Sequence, residues 1–77
     1  SISDESLKSI TKLKNLIHLD VSYTDIGDKG VETISGNITL KFFDLTKTKI
    51  TNRSIKSLSK IYNLEILLLS DCCVTFE

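Results

Sequence analysis

The sequence has no proline and no methionine, and its two cysteines, Cys72 and Cys73, are neighbours. Without proline, no helix or strand is broken by a locked φ and a missing N–H donor. Adjacent cysteines cannot close a long loop, so an ordinary disulfide framework is excluded and a reducing, intracellular, chiefly cytoplasmic setting is expected. The absent initiator methionine suits a piece of a longer chain. Net charge is lacking as well: ten basic residues balance ten acidic ones. That removes the composition argument for nucleic acid or an anionic membrane as partner. No run of about 18 apolar residues exists to span a bilayer. The opening Ser1-Ile2-Ser3-Asp4-Glu5 has neither the basic segment nor the apolar stretch of a signal peptide. At 77 residues the chain is one small domain, in a size range where a single core gives marginal stability and partners are common.

What is present is a period. Ile2, Ile26, Ile50 and Val74 recur every 24 residues, and the other apolar positions fall into register behind them. Leu7, Val31 and Ile55 form one column and Ile10, Ile34 and Leu58 the next. They are followed by Leu16, Leu40 and Leu64; Leu19, Phe43 and Leu67; and Val21, Leu45 and Leu69. The units run over residues 2–25, 26–49 and 50–73, with a fourth beginning at Val74.

Within each unit the spacing changes character. Asp4, Asp28 and Asn52 precede apolar pairs three residues apart, and a short acceptor at such a place is expected to cap free backbone N–H groups at a helix start. Lys8, Lys12, Lys29, Glu32, Arg53, Lys56 and Lys60 are among the positions facing outward, so each helix is short and amphipathic. Leu19-Asp20-Val21, Phe43-Asp44-Leu45 and Leu67-Leu68-Leu69 then alternate with a period of two, as a strand with one buried face does. Equivalent strands running in the same direction must pair in parallel, with the intervening helix as a right-handed crossover. Stacking such units makes an α/β solenoid with a sheet on the concave face and helices on the convex one. The second unit carries Ser35-Gly36-Asn37 and then Ile38 where the others carry Leu13 and Ile61. With Gly30 in its first turn, its helix is expected to end earlier and to be the least rigid.

The segments Leu16–Ile26, Leu40–Ile50 and Leu64–Val74 resemble the regular half of leucine-rich repeats, L-x-x-L-x-L-x-x-N-x-L. The Asn position holds Thr24, Thr48 and Cys72 instead. That departure, with the Ile-x-Asp or Ile-x-Asn that follows, resembles the cysteine-containing subtype of F-box substrate receptors and related intracellular adaptors. The resemblance implies a non-catalytic protein-interaction module and, at its most specific, the substrate-recognition part of a ubiquitin-ligase adaptor. No F-box segment is present in these residues. Independently of any family, a small side chain turning inward after each strand can hydrogen-bond loop backbone that would otherwise go unpaired. Threonine does this well and cysteine weakly. Cys72 is expected to be structural, and Cys73 exposed.

Alternation assigns the residues that point from the concave face. They are His18, Asp20, Ser22 and Tyr23; Phe42, Asp44, Thr46 and Lys47; and Ile66, Leu68, Ser70 and Asp71. A protein partner is expected on this surface, at His18, Asp20, Tyr23, Phe42, Asp44, Lys47, Ile66, Leu68 and Asp71. Phe42, Ile66 and Leu68 form its apolar part, which a partner or a neighbouring segment of the same protein would cover. Asp20 and Asp44 share a column about 5 Å apart; a basic group from a partner, Lys47, His18 or water and salt would relieve their repulsion. His18 with two carboxylates on a flat strand surface makes a poor site for zinc or for proton transfer. With no glycine-rich phosphate loop and no zinc-like cysteine spacing, neither cofactor, metal nor catalysis is expected. The outer band of Lys8, Lys12, Lys29, Arg53, Lys56 and Lys60 is broken by Glu5 and Glu32 and reads as a solvated helix face. Arg53, Lys56 and Lys60 cluster most tightly, which leaves an acidic or RNA contact on that side as the lesser alternative. Flanking repeats or neighbouring subunits are expected to cover the two ends of the solenoid, and the alternative role is that of a structural part of a large assembly.

Overall fold

A computed structural model of the chain describes residues 3–10, 12–13, 15–37 and 39–75. Ile2 and Ile38 therefore lie outside the described residues. Helix and strand alternate three times: α1 (Asp4–Ile10), β1 (His18–Asp20), α2 (Asp28–Ile34), β2 (Phe42–Asp44), α3 (Arg53–Leu58) and β3 (Ile66–Leu68). The strands form one parallel sheet in the order β1-β2-β3. Its register is the sequence period itself, because Leu19 lies opposite Phe43 and Phe43 opposite Leu67. The fold is an open α/β arrangement of parallel strands and short helices, as the patterning implies. Among the described residues no helix is long and apolar enough to cross a membrane.

The parallel ladder extends past the strands on both sides. Val21 and Tyr23 donate backbone N–H bonds to the carbonyls of Asp44 and Thr46, at 3.0 and 2.8 Å, and Leu45 and Lys47 repeat the pattern on Leu68 and Ser70 at 2.8 and 2.9 Å. Between sheet and helices lies the core, built from the aliphatic columns: Leu7, Ile26, Val31, Ile34, Leu40, Phe43, Leu45 and Ile50 are fully buried. The third repeat departs from its columns. Leu64, Leu67 and Leu69 are only partly buried, and Ile55 is 37 % exposed where Leu7 and Val31 are inaccessible. Those side chains have a neighbouring unit on one flank only. Leu13 is 56 % exposed although its counterpart Ile61 is buried.

Two expectations about the helices are corrected. The first concerns the residues at the helix starts, Asp4, Asp28 and Asn52, of which Asp28 and Asn52 do not cap their own helices. Gly27 stands at the N-cap of α2 and Asn52 at that of α3, neither making a side-chain capping bond. These side chains instead reach sideways to the next repeat. Asp4 Oδ1 accepts from the N–H of Gly27 at 2.8 Å. Asp28 accepts from the Thr51 N–H at 2.8 Å, the Thr51 hydroxyl at 2.6 Å and the hydroxyl of fully buried Ser54. Asn52 pairs in the same way with Thr75, its Oδ1 accepting from the backbone N–H at 2.8 Å and its Nδ2 donating to the hydroxyl at 3.0 Å. A helix start beside an identical helix start has donors of the neighbour within reach, and bonding across holds the repeats together as well as satisfying backbone groups.

The second correction is to α2. It ends at Ile34, the position equivalent to Ile10 and Leu58 where α1 and α3 end, so it is not shortened. Ser35 closes it, its N–H and hydroxyl both donating to the Glu32 carbonyl at 3.3 and 2.7 Å. Asn37 Oδ1 then receives the backbone N–H groups of Thr39 and Leu40, each at 2.8 Å, returning the chain to the strand. Gly30 has a packing role: it is buried, and a Cβ there would run into the Asp4 carboxylate and come 3.0 Å from Leu7 Cδ1.

Candidate functional site

The outward face of the sheet is ordered by columns. In the first, His18, Phe42 and Ile66 stand side by side in register. The rings of His18 and Phe42 stack with centroids 4.0 Å apart and planes 6° from parallel, and Ile66 beyond them is 50 % exposed. The second column is Asp20, Asp44 and Leu68, with Leu68 39 % exposed. Ile66, Leu68 and the Phe42 ring make a continuous apolar strip along the third repeat and its neighbour.

The two carboxylates are held from within their own loops. Asp20 Oδ1 accepts from the Ser22 N–H at 3.0 Å and hydroxyl at 2.6 Å. Asp44 Oδ1 accepts from the Thr46 N–H at 2.9 Å. Each closes a turn at its strand end, as an aspartate does when it bonds backbone two residues on. The Ser22 hydroxyl, then its backbone N–H, hold Asp20 below the usual carboxylate range, with the charge of His18 acting weakly in the same direction and slight burial against it. Repulsion within the column is thus relieved by local donors, while the Lys47 ammonium sits over the Tyr23 ring, 5.6 Å from its centroid.

Tyr23, Lys47 and Asp71 form a third column, just past the strands. All three have left-handed backbone, with φ of 59°, 54° and 57°. The tight turn after every strand requires this conformation, and none of the three is glycine, so each carries a side chain on the loop rim at a backbone cost of about 1–2 kcal/mol. Tyr23 is 72 % exposed. Nothing in the residue types marks this conformation; only the fixed distance from each strand does.

Directly behind, the column that replaces the asparagine of the repeat bonds as expected. The hydroxyls of Thr24 and Thr48 donate to the carbonyls of Val21 and Leu45 at 2.6 and 2.7 Å. The Cys72 thiol donates to the Leu45 carbonyl at 2.9 Å and lies 3.6 Å from the Thr48 hydroxyl. Cys72 therefore serves the loop, and Cys73 is an exposed thiol. Edge ion pairs join the repeats at Lys49–Asp25, 3.4 Å, and Lys41–Glu65, 3.9 Å. Among the described residues no three of His, Cys, Asp and Glu are grouped so as to hold a metal ion.

The sheet face therefore brings together all nine residues singled out from the sequence, His18, Asp20, Tyr23, Phe42, Asp44, Lys47, Ile66, Leu68 and Asp71, on consecutive parallel strands and the turns that follow them. A search of curated proteins finds no significant match. A comparison with family models matches residues 12–35 and 36–59 to the Leucine Rich repeat, a fold generally used to bind proteins and generally non-catalytic. These two matches span more than half of the chain and share its period, and with the parallel sheet and short helices they show that the chain belongs to the leucine-rich repeat family.

Proposed function

We propose that the chain is a non-catalytic interaction module that holds a protein partner on its sheet face through His18, Asp20, Tyr23, Phe42, Asp44, Lys47, Ile66, Leu68 and Asp71. The observation that carries this reading is the strip of Phe42, Ile66 and Leu68, where two aliphatic side chains stand 50 % and 39 % exposed on hydrogen-bonded strands. Ordered apolar groups lose little entropy on binding and gain from leaving water. Exposed Tyr23 adds an amphipathic aromatic group of the kind in which interface hot spots are rich, beside the stacked His18 and Phe42 rings. Asp20, Asp44, Lys47 and Asp71 surround the strip with charge, suiting a partner with an apolar anchor inside a polar rim.

In its finer form the proposal makes this surface the target-selecting part of a ubiquitin-ligase adaptor. It rests on the Thr24, Thr48 and Cys72 column and its resemblance to that subtype. The two free thiols favour an intracellular setting. The test is a double variant, Phe42→Glu with Leu68→Glu, whose retained proteins are compared by quantitative mass spectrometry with those of the unaltered chain. Loss of a specific set, with unchanged circular dichroism, is the expected result. An unchanged set would remove the sheet face from consideration.

A second reading, a structural role inside a large assembly, is favoured by the half-buried flank of Leu64, Leu67, Leu69 and Val74. Sedimentation decides it: a chain that is monomeric and melts cooperatively alone counts against that role.

A further inference from the structure

The helix side carries a feature that the sheet-face reading does not use. Between α2 and α3 runs a groove of about 580 Å³ lined by Asp28, Lys29, Glu32, Arg53, Lys56, Ser57 and Lys60. Four cations thus meet two carboxylates, of which Asp28 is held in place by three donors from Thr51 and Ser54. Four cations elsewhere have partners: Lys8, Lys41 and Lys49 are ion-paired and Lys47 lies over Tyr23. Among the described residues, none of the four groove cations is in an ion pair. Arg53, Lys56 and Lys60 also follow one another at spacings of three and four, where like charges on and just beyond a helix disfavour each other. The groove is a cationic site in which four basic side chains outnumber two carboxylates.

We infer that this groove binds a short acidic segment of a protein, with carboxylates spaced to meet Arg53, Lys56 and Lys60 on one wall and Lys29 on the other. An acidic peptide fits better than RNA for two reasons. A nucleic acid bound through its backbone draws on many phosphate contacts, on the order of 6–10 in a well-anchored complex, and the groove offers four cations. The groove also has no aromatic lining on which a base could stack. Glu32, on the second wall, repels a continuous phosphate backbone, whereas a peptide can place a backbone N–H or a neutral residue against it. This face is separate from the sheet face, so a protein partner and an acidic segment can be held together.

The experiment is a fluorescence-anisotropy titration at low salt of the chain against a labelled peptide of alternating glutamate and glycine, with a labelled single-stranded oligouridylate in parallel. Lys56→Glu with Lys60→Glu is expected to weaken peptide binding by about tenfold or more, since each reversal replaces an attraction by a repulsion. Phe42→Glu, on the opposite face, is expected to leave it unchanged, and added salt to weaken it. Both variants replace exposed side chains or one at the sheet surface, and circular dichroism melting confirms that they fold. No peptide binding by the unaltered chain, equal loss in both variants, or tighter binding of the oligouridylate would each overturn the inference. Loss of peptide binding confined to the groove variant supports it, whatever becomes of the sheet-face proposal.

Discussion

Asp28 shows at the scale of one residue how a sequence position acquires its role from a neighbouring repeat. Burial raises the affinity of its carboxyl for a proton, but hydrogen bonds from Ser54, then Thr51, and the charge of Arg53 outweigh that and leave it below its ordinary value of 3.8. A carboxylate depressed in the folded state contributes stability that is present above the unfolded value and lost as pH falls through the folded one. The expected outcome for Asp28→Asn is a loss of about 1–3 kcal/mol at neutral pH, from donors left without their full set of acceptors. Its stability should also fall less than that of the parent on acidification from about pH 5 to pH 2. Urea titrations across that range check both; an acid limb as steep as the parent's would contradict the role assigned to Asp28. Gly30→Ala is the second residue-scale case. Helix propensity alone favours alanine by about 1 kcal/mol, yet the added Cβ meets the Asp4 carboxylate and Leu7. Overpacking of this kind costs about 1–3 kcal/mol, so the melting temperature is expected to fall; a rise would mean that α1 yields freely.

At the scale of the element, strand, turn and helix start are each too short to be stable alone. Strands of three residues and helices of six or seven lie well below the length at which isolated elements persist, so the bonds that run between equivalent positions decide the structure. In the inward column after the strands, Thr24 and Thr48 bond the carbonyls of their own loops, while the Cys72 thiol crosses to the Leu45 carbonyl of the preceding repeat. A hydroxyl is the better donor, and Cys72→Thr is expected to stabilise the junction of the second and third turns by about 0.5–1 kcal/mol. Guanidinium unfolding measures it, and a decrease in midpoint would show that the half-buried sulfur contributes more through packing than through its bond. The element scale also explains what the sequence conveyed of the helices. Apolar spacing located their buried faces, and Leu7, Val31, Ile34 and Leu58 are indeed buried. The acidic or amide residue at each helix start was legible as a short acceptor. Its bonding partner was not, because reach across to Gly27, Thr51 and Thr75 depends on how closely successive units stack.

For the whole molecule, the contacts between like elements among the described residues run between successive repeats: α1 meets α2, α2 meets α3, and each strand meets the next. Stability in such an array is close to a sum over neighbouring interfaces, so the middle repeat, which takes part in both, matters most. Phe43 is completely buried, whereas Leu67, its counterpart in the third strand, is only partly so. Phe43→Ala is expected to cost about 3–5 kcal/mol, a large share of the about 5–15 kcal/mol available to a small domain. Leu67→Ala should cost clearly less. Equal losses in denaturant titrations would show that the third repeat is as enclosed as the second and that the partly buried flank is not a real weakness. The same one-dimensional build separates two faces, one presenting the apolar strip and the other the cationic groove, each made from adjacent units and neither altering the other's backbone.

The sequence by itself determined the period, the alternation of helix and strand, the parallel register and the identity of the outward columns on the sheet. All of these follow from apolar side chains that must share one core at a fixed repeat. Only the tertiary structure decided that Asp4, Asp28 and Asn52 bond across repeats, that α2 runs as long as its neighbours, and that Gly30 admits Leu7. It also decided that Lys47 turns to Tyr23 and away from the aspartates, and that Lys29 joins Arg53, Lys56 and Lys60 around one groove. Those outcomes rest on distances between units about a helix diameter apart, and a one-dimensional pattern records which residues are equivalent but not how closely equivalent residues approach.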